Sequence, residues 1–220
     1  MSNKGKLVVI SGFSGAGKGT LMKALMKQYG DHYALSISAT TRKPRPGEKD
    51  GVDYFYVTTE KFEHMIAADE LIEYAQYVKN YYGTPKAYVQ QQLELGKNVI
   101  LEIEIQGALK IKEQFPDTIL MFVTAPDAKT LRDRLIGRGT ETQDIIHARL
   151  ARACEESEGI ENYDYLVVND TVEHGVDVIH RLIGDERSGH TKQNAAYRVS
   201  SNIDFINNMK EELASFSKGE

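Results

Sequence analysis

Short runs of consecutive apolar residues alternate along this chain with stretches whose apolar positions recur every three or four residues. The first run is Lys6-Leu-Val-Val-Ile-Ser11, and glycines follow it. A run that is apolar on both faces has the pattern of a strand buried in a parallel sheet. Behind it, Leu21, Met22, Leu25 and Met26 share one face of a helix. Further runs of the buried-strand type lie at Asn98-Val-Ile-Leu-Glu-Ile103, Thr118-Ile-Leu-Met-Phe-Val123 and Tyr165-Leu-Val-Val-Asn169. Helical stretches separate and follow them near 107–115, 127–136, 142–158 and 173–183. Strands alternating with helices predict βαβ units around a parallel sheet, an α/β fold.

Residues 34–95 break this rhythm. Alternating segments such as Tyr54-Phe-Tyr-Val57 and the turn-rich Arg42-Lys-Pro-Arg-Pro-Gly47 predict an inserted lobe with its own small sheet. The polar segment Gly137-Arg-Gly-Thr-Glu-Thr142 lies between two helical stretches and reads as the tip of a mobile flap. From about Gly184 the chain turns polar, then shows a weak helical pattern at Ile203, Ile206, Met209 and Leu213. The expected organisation is one domain over 1–183, with a core of 1–35 and 96–183. It carries a lobe over about 36–95, a lid over about 126–158, and a C-terminal extension over 184–220. The extension holds no recognisable site residue, so deleting residues 190–220 is expected to preserve activity. A docked helix, a partner contact and disorder are all open for it.

Composition narrows the classes. A chain of 220 residues, 41% hydrophobic and 27% charged, suits one compact soluble domain. The net charge of -5 argues against nonspecific nucleic-acid binding but not against an anionic substrate in a locally cationic cleft. Cys154 is the only cysteine, so no internal disulfide forms, and a packed role is expected. A reducing, cytoplasmic setting fits. The run Leu7 to Ile10 is too short for a signal-peptide core or a membrane span. The six histidines show no ligand spacing, and no catalytic triad or metal-ligand cluster is apparent. Oligomeric state is open.

The chemistry begins at Gly12-Phe-Ser-Gly-Ala-Gly-Lys-Gly19, which fits the P-loop pattern between a strand and a helix. Glycines let successive N–H groups curl inward around phosphate oxygens, and the helix N-terminus adds its dipole. Gly12, Ser14, Gly15, Ala16, Gly17, Lys18, Gly19 and Thr20 are therefore the expected ATP-binding residues, with Lys18 supplying charge to the β- and γ-phosphates. The usual Ser/Thr after the lysine is Gly19 here. Either Thr20 reaches Mg²⁺ in its place, or the metal is held mainly by phosphates and water.

A second set of motifs says more. Ser38-Ala-Thr-Thr-Arg-Lys-Pro-Arg-Pro-Gly47 and Gly51-Val-Asp-Tyr54 resemble the GMP-binding lobe of guanylate kinases. So do Ile72-Glu-Tyr-Ala75, Asn80-Tyr-Tyr-Gly-Thr84, Leu101-Glu-Ile-Glu-Ile-Gln-Gly107 and Arg134-Leu-Ile-Gly-Arg-Gly-Thr-Glu-Thr142. The likeness runs in the same order over roughly residues 5–183. It implies a P-loop NTPase-type parallel sheet with an inserted GMP-binding lobe and a mobile lid. It also implies transfer of a phosphoryl group from ATP, with Mg²⁺, to GMP, with dGMP as a second acceptor.

By this resemblance Arg42, Arg45, Tyr54 and Tyr82 bind the GMP phosphate. Two polyanions must approach each other, so cations and hydroxyls must screen them. Seen alone, Arg42 and Arg45 read as a solvated basic turn; the matched tyrosines decide otherwise. Ser38, Glu73 and Thr84 are placed at the guanine base, where a carboxylate can accept from N1–H and N2–H together. Glu102 and Glu104 match acidic positions near the metal and the guanine. The second position is usually aspartate, so Glu104 departs from the pattern. Asn169 is placed at ATP. Arg134, Arg138 and Arg149 resemble lid arginines, which stabilise charge on the transferring phosphoryl. The acceptor phosphate is already anionic at neutral pH, so no general base is required. Another small-molecule kinase fits Arg42, Arg45 and Glu73 poorly. A noncatalytic scaffold module fits Lys18 and the lid arginines poorly.

Overall fold

Leu7–Gly12 forms β1, with Leu7 through Ser11 buried. The chain then turns into α1 (Lys18–Tyr29) and returns through β2 (Tyr33–Leu35). The computed structural model describes residues 4–77, 79–136 and 153–217. β1 is the centre of a five-stranded sheet that also contains β2, β7 (Asn98–Glu102), β8 (Ile119–Thr124) and β9 (Tyr165–Val168). Its order is β2-β7-β1-β8-β9, and every pairing is parallel. Such a sheet needs helices on both faces, which is why its strands are apolar throughout. Val8, Val9, Ile10, Val99, Ile100, Leu120 and Val123 are fully buried. The expected α/β class with a central parallel sheet is thus present. β2, a three-residue edge strand, carries no pattern long enough to read from sequence.

A second sheet is built from β3 (Ala39–Thr40), β4 (Phe55–Tyr56), β5 (Leu71–Tyr77) and β6 (Asn80–Pro85) in the order β4-β3-β6-β5. The helix α2 (Thr59–Ala67) closes it. The pair has a small apolar cluster of its own: Ala39, Phe62, Met65 and Leu71. Phe62 stacks on Tyr81 with ring centroids 5.2 Å apart. The chain re-enters the main sheet through α3 (Lys86–Glu94) and β7.

α4 (Ile105–Gln114) follows β7, α5 (Ala128–Ile136) follows β8, and α6 (Val172–Ser188) follows β9 and packs beside α1. α6 spans the division expected at 183/184, which therefore falls inside one helix. The flap tip and most of the helix expected over 142–158 lie outside the described residues; 153–157 is helical. Cys154 is half-buried against the core and not paired in a disulfide. No described helix is long and apolar enough to cross a membrane.

The tail is a docked helix. After 3-10 turns at Thr191–Tyr197 and Val199–Ser201 comes α7 (Ile203–Ser217). Val199, Ile206, Met209 and Leu213 are buried in the main core. Burying such side chains is worth about 1.5–3 kcal/mol each. Four of them make up a large share of the roughly 5–15 kcal/mol that holds a domain together. Removing residues 190–220 would therefore uncover part of the core, so the expectation that deletion preserves activity applies to a chain that still folds.

Candidate active site

The loop after β1 is held tight by its neighbours. At Gly12, with φ of 155°, a Cβ would stand 2.1 Å from the Val123 carbonyl oxygen. At Gly17, with φ of 90°, a Cβ would stand 2.5 Å from the Asn169 Nδ2. Neither position has room for another residue. Lys18 folds back over the loop, its Nζ donating to the carbonyls of Gly12 (2.6 Å) and Phe13 (3.2 Å). Gly17 caps α1 without a side-chain acceptor, so the N-terminal amides of α1 face the loop. Ser14 and Gly15 are half-buried within it and Ala16 is fully buried. Gly19 and Thr20 are exposed, and a Cβ at Gly19 would meet open space.

Asn169 and Arg134 brace this loop from behind. The Asn169 Nδ2 donates to the Ala16 carbonyl at 2.7 Å, and the Arg134 Nη2 donates to the Asn169 carbonyl at 2.9 Å. Arg134 Nη1 is buried and has no hydrogen-bond partner among the described residues. Both were expected at nucleotide; in this structure both bond backbone carbonyls, and Asn169 is buried. Arg138 and Arg149 lie outside the described residues.

On the second sheet, Arg42, Tyr54 and Tyr82 converge. The Arg42 guanidinium lies 5.3 Å from the Tyr54 ring centroid, and Tyr54 meets Tyr82 edge to face at 6.1 Å. Arg45 is exposed in the same loop. Glu48, which the sequence reading passed over, organises the group. It takes both Arg42 Nη atoms at 2.9 Å, the Arg45 backbone N–H at 2.7 Å and the Tyr56 hydroxyl at 2.8 Å. The Arg42 guanidinium, and then the Arg45 amide, hold the Glu48 carboxyl down at about 2. The same contact raises Arg42 above its ordinary value. Burial, then the Glu48 bond, pushes the Tyr56 hydroxyl up to about 12. The signal was in the sequence: an acid three residues after Arg45 and six after Arg42, across a proline-stiffened turn.

The base-side residues cluster at the inner end of this sheet. Thr84 Oγ1 donates to Glu73 Oε1 at 2.8 Å, and Thr84 is fully buried. β3 pairs Ala39 with Gly83, so Ser38 falls beside Thr84 on the neighbouring strand. Burial raises the Glu73 carboxyl above the usual range, against the Thr84 hydrogen bond and the Lys110 charge. A Cβ at Gly107 would stand 3.7 Å from Glu73 Oε2, so the start of α4 borders the pocket.

Glu102 and Glu104 separate. Glu102 ends β7 beside Ile10 of β1 and is exposed at the sheet end. Crowding by surrounding atoms nevertheless pushes its carboxyl up, and the nearby Lys18 charge opposes that rise. Glu104 lies two residues beyond β7. It is the exposed N-cap residue of α4, because the backbone leaves the sheet after Glu102. A carboxylate there interacts favourably with the helix dipole.

The guanylate kinase family description matches residues 4–186 of the chain. The chain belongs to the guanylate kinase family. Guanylate kinase from Latilactobacillus sakei is 51% identical over 186 residues, covering 84% of this chain and 92% of that protein. Guanylate kinase from Enterococcus faecalis is likewise 51% identical over 186 residues, covering 84% of this chain and 91% of that protein. Among solved structures, guanylate kinase from Anaplasma phagocytophilum superimposes with a TM-score of 0.65 at 30% identity, covering 83% of this chain and 86% of that one. As a guanylate kinase the chain is an enzyme, and ATP-dependent phosphorylation of GMP is its family's reaction.

Proposed function

We propose that the chain moves the γ-phosphoryl group of ATP directly onto the phosphate of GMP. The observation that carries this is the second sheet. It joins a half-buried carboxylate, Glu73 on the buried Thr84, to a cation-and-hydroxyl group of Arg42, Tyr54 and Tyr82. One part suits a guanine edge, the other a phosphate, as a single nucleotide requires. Ser38 completes the base pocket, and Arg45 adds charge at the phosphate.

Gly12 to Thr20 cradle the donor phosphates, with Lys18 on the β–γ bridge. Arg138 and Arg149 serve the transferring phosphoryl, within a lid that closes over it, and Arg134 steadies the cradle through Asn169. Asn169 holds the cradle in shape. Transfer is in line and needs no base, since the acceptor oxygen is anionic at neutral pH.

Among the described residues no group of three His, Cys, Asp or Glu could hold a metal. The donors at the cradle are the Thr20 hydroxyl and the Glu102 carboxylate. That sparse oxygen set fits Mg²⁺, which retains water and binds phosphates. Thr20 or Glu102 would hold it, directly or through water, and it would neutralise charge on the ATP phosphates. The deoxy nucleotide dGMP, which presents the same base and phosphate, is the proposed second acceptor. The expected location is the cytoplasm, with purine nucleotide metabolism as the setting.

The test is turnover with ATP, Mg²⁺ and each of GMP, dGMP, AMP, CMP and UMP. GMP and dGMP should exceed the others by on the order of 10² in kcat/KM. A preference for AMP would overturn the base assignment. No turnover with any acceptor would favour a binding module.

Glu48→Gln probes the phosphate side. It breaks the charged two-point grip on Arg42 while the fold keeps its two apolar clusters. The GMP KM should rise about tenfold, with kcat changed less, because preorganisation of the binding arginine is lost. A fall in KM would mean instead that Glu48 competes with the substrate for the Arg42 charge. Initial rates at varied GMP distinguish the two.

A further inference from the structure

We propose that the C-terminal segment over 190–217 is a positioning element of the catalytic centre, fixing α5 and the phosphate loop relative to each other. The family match ends at residue 186, so this role is not part of the shared domain.

The segment is anchored first on the outer strand of the main sheet. Arg198 forms an antiparallel bridge with Tyr165, stacks its guanidinium 4.2 Å from that ring centroid, and donates to Glu186 Oε1 at 3.0 Å. This covers an edge strand that would otherwise be open. From that anchor α7 runs across two elements of the site.

One contact is the phosphate loop itself. Phe205, Ile206 and Met209 line an apolar hollow together with Phe13, Thr124 and Leu166. Phe13 stands between Gly12 and Ser14, and its carbonyl accepts a hydrogen bond from Lys18 Nζ. The side chain of Phe13 is almost completely buried. Its position is set partly by the tail, and its carbonyl in turn orients the lysine.

The other contact is α5. The Ala128 backbone N–H at its start donates to Glu212 Oε2 at 3.4 Å, beside Asp127 Oδ1, which takes the Thr130 N–H at 2.6 Å. Two carboxylates therefore serve the first turn of α5, one local and one from the tail. Further along, the Arg132 guanidinium lies 5.2 Å from the Phe216 ring centroid. The next turn carries Arg134, bonded to Asn169, which is bonded to Ala16. A shift of α5 is thus passed along two hydrogen bonds into the cradle. Among the described residues, Thr84 and Glu73 bond to each other and not to the tail, so acceptor binding should be insulated from it.

The inference rests on the proposed roles of Lys18 and Arg134. Its test uses full-length chains. Met209→Ala loosens the packing on Phe13, and Glu212→Ala removes the tail carboxylate from α5, with Glu212→Gln as the conservative partner. Each is assayed well below its own Tm, where it is folded. Met209→Ala and Glu212→Ala should each lower kcat about five- to tenfold with the GMP KM changed less than twofold. Glu212→Gln keeps an oxygen acceptor for the Ala128 N–H and should recover most of kcat. Lowered Tm with kcat unchanged in both alanine variants overturns the proposal and leaves the tail a stabilising strap only. Equal loss in Glu212→Gln and Glu212→Ala also counts against it. Lys18→Met measured in parallel separates the levels. If Lys18→Met keeps turnover, the cradle reading fails; if it is inactive while the tail variants keep kcat, only this inference fails.

Discussion

Lys18→Met should lower kcat by on the order of 10³ in a chain that still folds. The methionine keeps the length of the side chain and removes its charge. In the resting loop the ammonium spends hydrogen bonds on the Gly12 and Phe13 carbonyls. That holds the ammonium against the loop proposed to cradle the donor phosphates, where charge would develop during transfer. Losing two such bonds costs about 1–3 kcal/mol in net stability. For a chain of this size that lowers Tm by several degrees, on the order of 2–4 °C per kcal/mol. The rate effect is far larger than this, which separates chemistry from folding. A second readout is electrostatic. The Lys18 charge holds down the Glu102 carboxyl, which burial otherwise raises. Without it, Glu102 should take up its proton at higher pH, moving any acid limb of the residual rate upward. Single-turnover rates with saturating ATP and GMP decide the matter, and wild-type rates would remove Lys18 from the reaction.

How much of this was legible in the sequence differed by element. The core strands were read to within a residue or two, because a parallel strand buried on both faces must be apolar at every position, as Val8, Val9 and Ile10 are. The phosphate loop was readable for a steric reason. Gly12 answers to the Val123 carbonyl, which leaves no room for a Cβ, and Gly17 to a φ of 90° beside the Asn169 amide. β2 was missed because three residues cannot show a period. The separation of Glu104 from Glu102 was not readable because a run of apolar residues does not mark where the backbone leaves the sheet. Glu48 was missed because an acid in a basic turn looks like surface charge until the loop closes on it. The packing of the tail stayed open for a related reason. Ile206, Met209 and Leu213 form a narrow stripe on a polar helix, and a stripe does not say what it packs against. The Arg134 brace depends on where α5 and β9 end in space, which local pattern cannot supply.

Base choice should turn on Glu73. In Glu73→Gln the amide oxygen can still accept from Thr84 Oγ1, as Glu73 Oε1 does at 2.8 Å. The NH₂ group then takes the place of Oε2, on the side bordered by Gly107. There it meets a guanine N–H donor to donor. An unpaired buried polar group costs about 1–3 kcal/mol, or roughly 5- to 150-fold in kcat/KM. Adenine presents an acceptor at N1 and a donor at N6, which match the new amide. The GMP/AMP ratio of kcat/KM should therefore narrow by on the order of 10². Acidity gives an independent check. Burial raises the Glu73 carboxyl, so the folded chain holds this proton more tightly than the unfolded chain. As pH rises past the unfolded value toward the folded one, ionised Glu73 increasingly costs stability. Glu73→Gln should therefore have a Tm at neutral pH equal to or above wild type, even as GMP turnover falls. Guanine recognition needs the carboxylate, so wild-type kcat/KM for GMP should drop as pH falls through a value above the usual carboxylate range. The glutamine variant should lack that limb. If the GMP/AMP ratio stays put and the acid limb persists, another group reads the base, with Ser38, Thr84 and Glu102 the next to be changed.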